Sequence, residues 1–182
     1  MRYAARMLRI SIVCCLLAIL SGSAFGAGGP CPGAAGDDPA GLAAAAFAAL
    51  GKTPPDAALA VSCLQAAAAL GDPGAQVALG HLAVAGLDGP VDRTRAAAAF
   101  SQSAAGGSPQ GYLAMGLAYA RGDGVPAEPY WAYWFCRRAE LGGGLSPEEA
   151  ALASATAAAA LPRLQPHERR ALDASLNPGG VP

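Results

Sequence analysis

The chain has 182 residues, 53% of them hydrophobic and 14% charged, with a formal net charge of −1. That balance excludes the basic footprint of a nucleic-acid binder. Alanine is abundant while valine and isoleucine are scarce, which favours closely packed helices over strands, so the expected class is all-α.

Residues 1–26 read as a secretory signal peptide. Arg2, Arg6 and Arg9 make a basic start, and Ile10 to Leu20 is an apolar run of 11 residues followed by SGSAFGAGG. A run that short does not span a bilayer, which needs about 20 apolar residues. Cleavage is expected after Gly26 or Ala24. Ser23 stands where a lipoprotein signal would need cysteine. The expected location is the periplasm, with no membrane span after cleavage. Without the three arginines, 9 Lys+Arg face 13 Asp+Glu, a net charge near −4. About 155 residues remain, enough for one domain with a buried core.

Residues 27–38 form a Gly/Pro-rich arm expected to be flexible. Cleavage leaves three cysteines, Cys31, Cys63 and Cys136. An odd count in an oxidising compartment permits at most one intramolecular bridge. The arm can bring Cys31 to the helix of Cys63, so these two are the candidate pair. Cys136 reads as a small buried hydrophobe two repeats away. Masses with and without reductant distinguish the bridge from free thiols.

From Pro39 the chain reads as helix pairs. Residues 40–50 form a short helix stopped by Gly51, and Pro54-Pro55 open a second that ends at Gly71. Asp72 caps a third helix with Pro73 at its first position, and Gly86 stops it as a left-handed residue. LDGPV turns the corner and residues 92–106 return. Ser108 and Pro109 start the next helix, Gly122 stops it, GDGVP turns, and residues 128–141 return. Pro73, Gly80 and Gly86 recur as Pro109, Gly116 and Gly122, a period of 36 residues, which marks a repeat architecture. Gly51, Gly86 and Gly122 are assigned one structural job.

Gly80 and Gly116 sit mid-helix, where glycine costs about 1 kcal/mol relative to alanine. Their recurrence predicts a partner helix so close that no Cβ fits. Leu64 and Ala68, Phe100 and Ala104, and Phe135 and Ala139 are the expected facing layers on the returning helices, with Trp134 and Phe135 at core positions.

The third copy supplies Met115-Gly116, Tyr119, Gly122-Asp123-Gly124-Val125 and Ala132-Tyr133-Trp134-Phe135. This pattern resembles the Sel1-like repeat, a relative of the tetratricopeptide repeat. The second copy supplies Ala75, Leu79-Gly80 and Gly86, and the first is degenerate. Tetratricopeptide repeats have a period of 34 residues and a shorter corner; here 16 residues separate Gly116 from Ala132. The resemblance implies a short right-handed α-solenoid of about three repeats over 39–142. Capping helices are expected over 143–177, opened by the capping box Ser146-Pro147-Glu148-Glu149, with a disordered tail at 178–182. Small exported Sel1-like proteins often carry a tail that starts in this way.

The chain offers no catalytic constellation. AFAALGKT, residues 46–53, loosely matches a phosphate loop, but an alanine-rich helix precedes it and prolines follow, where a strand and a helix are required. His81 and His167 are the only histidines and no CxxC or HExxH occurs, so no metal is expected, nor any cofactor. Some cysteine-rich relatives of this repeat have been linked to β-lactam binding. That chemistry commonly uses Ser-x-x-Lys, whereas Lys52 is the sole lysine and position 49 is alanine.

The expected function is therefore a non-enzymatic scaffold that binds another protein or a peptide along the groove lined by the first helix of each pair, as a monomer. The candidate partner-binding residues are His81, Tyr112, Trp131 and Tyr133. His81 follows Gly80 on the groove helix. Four aromatics within 131–135 exceed what one helix face buries; the plainer reading packs Trp131 and Tyr133 on the cap. A regulator of a membrane sensor, a peptidoglycan-associated envelope component and, remotely, an envelope hydrolase are the alternatives.

Overall fold

The computed structural model describes Cys31 and residues 38–176. The expected signal peptide, all of the arm but Cys31 and Asp38, and the tail 178–182 lie outside the described residues.

Short polar side chains start the helices. Helix α1, Pro39–Leu50, begins where the Asp38 carboxylate accepts from the backbone of Ala40 and Gly41. Asp56 caps α2, Ala57–Ala69, by accepting from Leu59 N. Thus α2 starts two residues after the Pro54-Pro55 turn rather than on it. Asp72 accepts from Ala75 N at 2.7 Å to start α3, Pro73–Ala85, and Asp92 accepts from Arg95 N to start α4, Arg93–Ala105. Ser108 does the same for α5, Pro109–Arg121. Helix α6, Pro129–Gly142, has no side-chain cap. Ser146 and Glu149 form both bonds of a capping box on α7, Pro147–Ala160. A 3-10 turn, Leu161–Arg163, leads to α8, Pro166–Leu176. Each such cap contributes about 1 kcal/mol by satisfying an otherwise orphaned amide.

The helices pair as α1/α2, α3/α4 and α5/α6, and each second helix lies against the first helix of the next pair. Helix α7 covers α6 and α5, and α8 packs on α6. This end cover buries Leu172, Ala153 and Ala157. It is all-helical among the described residues.

The core is built largely from alanine: Ala46, Ala60, Ala67, Ala75, Ala83, Ala96 and Ala139 are at most 1% exposed. Small side chains let the helix axes approach closely. A Cβ on Gly80 would stand 2.7 Å from Phe100 Cδ1, and one on Gly116 would stand 3.1 Å from the backbone N of Cys136. Real Cβ atoms essentially never show the first distance, and the second is tight enough that α6 would have to give by a few tenths of an ångström. The facing residue in the third pair is thus Cys136, which is fully buried with Ala132 and Ala139. Trp134 and Phe135, expected at core positions, are only half-buried. Ala139 is buried as expected; the residue facing Gly116 is one position later than the expected Phe135.

Gly86 and Gly122 end α3 and α5 in the left-handed region, at φ 68° and 78°. Gly51 does not share that job: its φ is −75° and its amide donates to Phe47 O in an ordinary helical bond. The prolines that follow turn the first corner instead. Gly124, at φ 76°, passes so close to α4 that a Cβ there would lie 2.9 Å from Thr94 N.

Cys31 and Cys63 are joined in a disulfide, with Cα atoms 5.5 Å apart. Closing a loop of 32 residues contributes about 3–4 kcal/mol by restricting the unfolded chain. Cys136 is a free, buried thiol. Burial pushes its pKa up to about 12, assisted by the negative charge of Glu140.

Candidate binding surface

Two features of the repeat array are exposed and chemically distinctive, and both depend on α5. One side of α5 faces α3 across a cleft. The other carries rings that meet the aromatic face of α6.

The cleft is a cavity of about 100 Å³. His81 and Val84 of α3 and Leu117 and Arg121 of α5 form its sides, and Phe100, Ala96 and Ala114 line it below. It opens between the first helices of successive pairs because α3 touches α5 while α4 lies against both. Gly80 draws Phe100 of α4 up against α3, and the His81 ring then rests on Phe100 with centroids 5.1 Å apart. Partial burial against that ring lowers the His81 pKa from its ordinary value, because an imidazolium there loses hydration. At the mouth, Arg93 Nε lies 3.2 Å from Asp123 Oδ1. Arg121 has no ion-pair partner among the described residues.

The second feature follows from helical spacing. Trp131, Trp134, Phe135 and Arg138 share one face of α6 at steps of three and four residues, and Tyr112 and Tyr119 share one face of α5. Phe135 stacks on Tyr119 at 5.6 Å, and Trp131 lies 6.3 Å from Tyr119 and 6.1 Å from Phe135. Tyr112 meets Trp134 edge-on at 6.1 Å, and the Arg138 guanidinium lies 5.8 Å over the Tyr112 ring. Centroid separations of 4.5–7 Å are those of favourable aromatic pairs. Trp131 remains 39% exposed, so the cluster presents a wide apolar edge to solvent.

The four residues singled out from the sequence therefore fall in three places. Tyr112 and Trp131 belong to one aromatic cluster. His81 lines the cleft, and no residue of the aromatic cluster shares that lining. Tyr133 faces the opposite way, packed with Leu113, Cys136, Ala153 and Ala157 under the end cover. Sequence reasoning missed Val84, Leu117 and Arg121, although Arg121 lies four residues after Leu117 and five after Gly116, on a helix already assigned to the groove. It also missed Arg138 as the aromatic cluster's cation. His167 is exposed on α8. Among the described residues, no group of three or more His, Cys, Asp or Glu is placed to hold a metal ion, and no helix is long and apolar enough to cross a membrane.

No protein-family model and no curated protein matches the chain. Solved structures do share its fold. A protective antigen present in uropathogenic Escherichia coli, displaying an SLR fold, superposes with a TM-score of 0.64 at 19% identity. That match covers 78% of this chain and 30% of the antigen, so the chain spans less than a third of that protein's length. A Sel1 repeat protein from Oxalobacter formigenes superposes with a TM-score of 0.50 at 17% identity, covering 79% of this chain and 74% of that one.

Proposed function

We propose, with the Sel1-repeat (SLR) fold of this chain as the premise, that it is a non-enzymatic scaffold of the bacterial periplasm. It binds another protein or a peptide through the groove between the first helices of its repeats. The observation that carries this reading is the cleft between α3 and α5. It is an opening of about 100 Å³ with an apolar floor and a charged mouth, set between repeats rather than inside one. Stacked helix pairs create such a surface without any reactive group, since each junction adds one more concave site. Shape and apolar contact supply affinity there, and the few polar groups at the rim supply orientation. Export is supported by the basic, apolar and small-residue order of residues 1–26.

The test is crosslinking in isolated periplasm followed by affinity capture of the tagged chain. The expected result is a discrete crosslinked protein lost when Val84→Glu and Leu117→Glu place charge in the cleft. Capture of peptidoglycan with no protein partner would overturn the scaffold reading in favour of an envelope component. Absence of the chain from the periplasmic fraction would overturn the location.

A further inference from the structure

We infer that the α3/α5 cleft accepts an apolar side chain that is flanked by a carboxylate, and hence that the ligand is an acidic segment of a partner protein. The inference rests on the scaffold reading and adds the chemistry of what is bound.

The acidic residues of this chain are largely spent on its own fold. Asp38, Asp56, Asp72 and Asp92 are helix caps, their carboxylates held by backbone amides. Asp88 is paired with Arg95 at 2.5 Å, Asp123 with Arg93, and Glu140 with Arg137. Glu149 and Glu168 accept from the backbone of Ser146 and Gln165. A chain that is net acidic by composition thus has most of its carboxylates committed to its own fold.

Within the cleft this leaves a clear imbalance. The charged and titratable groups facing it are His81 from α3, Arg93 from α4, Arg121 from α5 and Asp123 from the following corner. Arg93 and Asp123 neutralise each other. Desolvation against Phe100 lowers the His81 pKa and so favours its uncharged form. Among the described residues lining the cleft, Arg121 is the one charge without an ion-pair partner. The carbonyl end of α5 favours a cation at this position but does not neutralise it. Beside it lie Val84, Leu117, Phe100 and Ala114, an apolar recess whose volume suits one branched aliphatic side chain. A ligand that satisfies both groups carries an aliphatic side chain and an adjacent acid. A guanidinium binds a carboxylate through two parallel N–H donors, a geometry a lysine partner would not give.

The chain carries its own reporter. It has two histidines, His81 in the cleft and His167 on α8, so the ring-proton spectrum is simple and internally controlled. The test is an NMR titration of the mature chain with nine-residue peptides. One has a central leucine flanked by glutamates, a second has lysines as flanks, and a third keeps the glutamates around a central serine. The expected result is that the Glu/Leu peptide shifts the His81 resonances and leaves those of His167 in place. It should bind about tenfold more tightly than either control, about the worth of one charge-assisted contact against the lysine-flanked peptide and of one buried aliphatic side chain against the serine peptide. Bound carboxylate should also raise the His81 pKa. Arg121→Glu should abolish the preference for glutamate flanks, and Arg169→Glu, at an exposed arginine on α8, should leave it unchanged.

Equal binding of the lysine-flanked peptide, or an Arg121→Glu variant that keeps the preference, would overturn the inference. So would shifts at neither histidine. The scaffold reading would survive any of these if periplasmic crosslinking still recovered a protein partner, and would fall only if that capture also failed.

Discussion

In the second helix pair the space beside Gly80 is filled by the Phe100 ring; in the third pair the space beside Gly116 is filled by the Cys136 thiol. Both glycines precede their partner by 20 residues, so these are equivalent positions. The exchange of a ring for a thiol changes what the second helix can do with its other faces. Phe100 is a buried aromatic that fixes α3 to α4 and leaves little of itself outside. In α6 the bulk has moved to Trp131, Trp134 and Phe135, from the centre of the helix-pairing face to its edge, where it meets Tyr112 and Tyr119 of α5. A smaller contact also brings backbone to backbone: the nearest atoms to a Cβ on Gly116 include Cys136 N and Ala132 O, whereas those at Gly80 all belong to the Phe100 ring. The third pair is the tighter joint and the more aromatic surface at once.

The largest expected effect follows from that asymmetry. Gly116→Leu should destabilise the fold by about 4 kcal/mol or more, because overpacking against backbone can be relieved only by displacing α6 from α5. Gly80→Leu should cost less, since a side chain yields before a main chain does. Thermal and urea melts of the two variants check the order. An unchanged melting point for Gly116→Leu would mean that α5 and α6 do not meet there.

Alanine sharpens the same comparison at lower cost. Each Gly→Ala change returns about 1 kcal/mol of helix propensity and adds a clash worth roughly 1–3 kcal/mol. Trimming the partner should then separate the two pairs. In a double-mutant cycle Gly80→Ala with Phe100→Leu should show a favourable coupling of about 1–2 kcal/mol, because the ring is the whole obstacle. Gly116→Ala with Cys136→Ala should couple more weakly, since the backbone N of Cys136, 3.1 Å away, stays a tight contact once the thiol is gone. Equal couplings would show that backbone contact does not distinguish the joints.

The elements that recur were readable from the chain because each has one local cause. Pro73 and Pro109 with their caps, and Gly86 and Gly122 at positive φ, need no tertiary information. Local sequence does not determine which helix lies opposite, and there the structure departs from expectation. Phe135 looked like the counterpart of Phe100 because both are large, yet the spacing from Gly116 points to Cys136. Gly51 looked like Gly86, but the prolines after it turn the chain without a left-handed residue. Tyr133 and Trp131 are two residues apart and so fall on different faces of α6, one under the end cover and one outside. The Sel1-like pattern was visible in residues 72–142 and agrees with the fold found. The cleft was not visible as a site, since its floor comes from α4 and its walls from α3 and α5.

The smallest predicted effect isolates the chemical difference between the two joints. Phe100 has nothing to titrate, while Cys136 has a thiol held neutral by burial, with its pKa raised from 9.0 to about 12. A raised folded-state value means that the unfolded chain loses the proton first. Stability from this group is therefore fully present below pH 9 and is lost as pH climbs toward 12. Between pH 9 and pH 10 the loss should be about 1 kcal/mol. Melts of the native chain and of Cys136→Ala across that interval should differ in slope by this amount, because other titrating groups are common to both. Iodoacetamide should reach the buried Cys136 thiol only in opened states, so that labelling is slow while the fold is intact. Rapid labelling at pH 8 without loss of helix would show that α5 and α6 part locally, and would make the third joint the looser of the two.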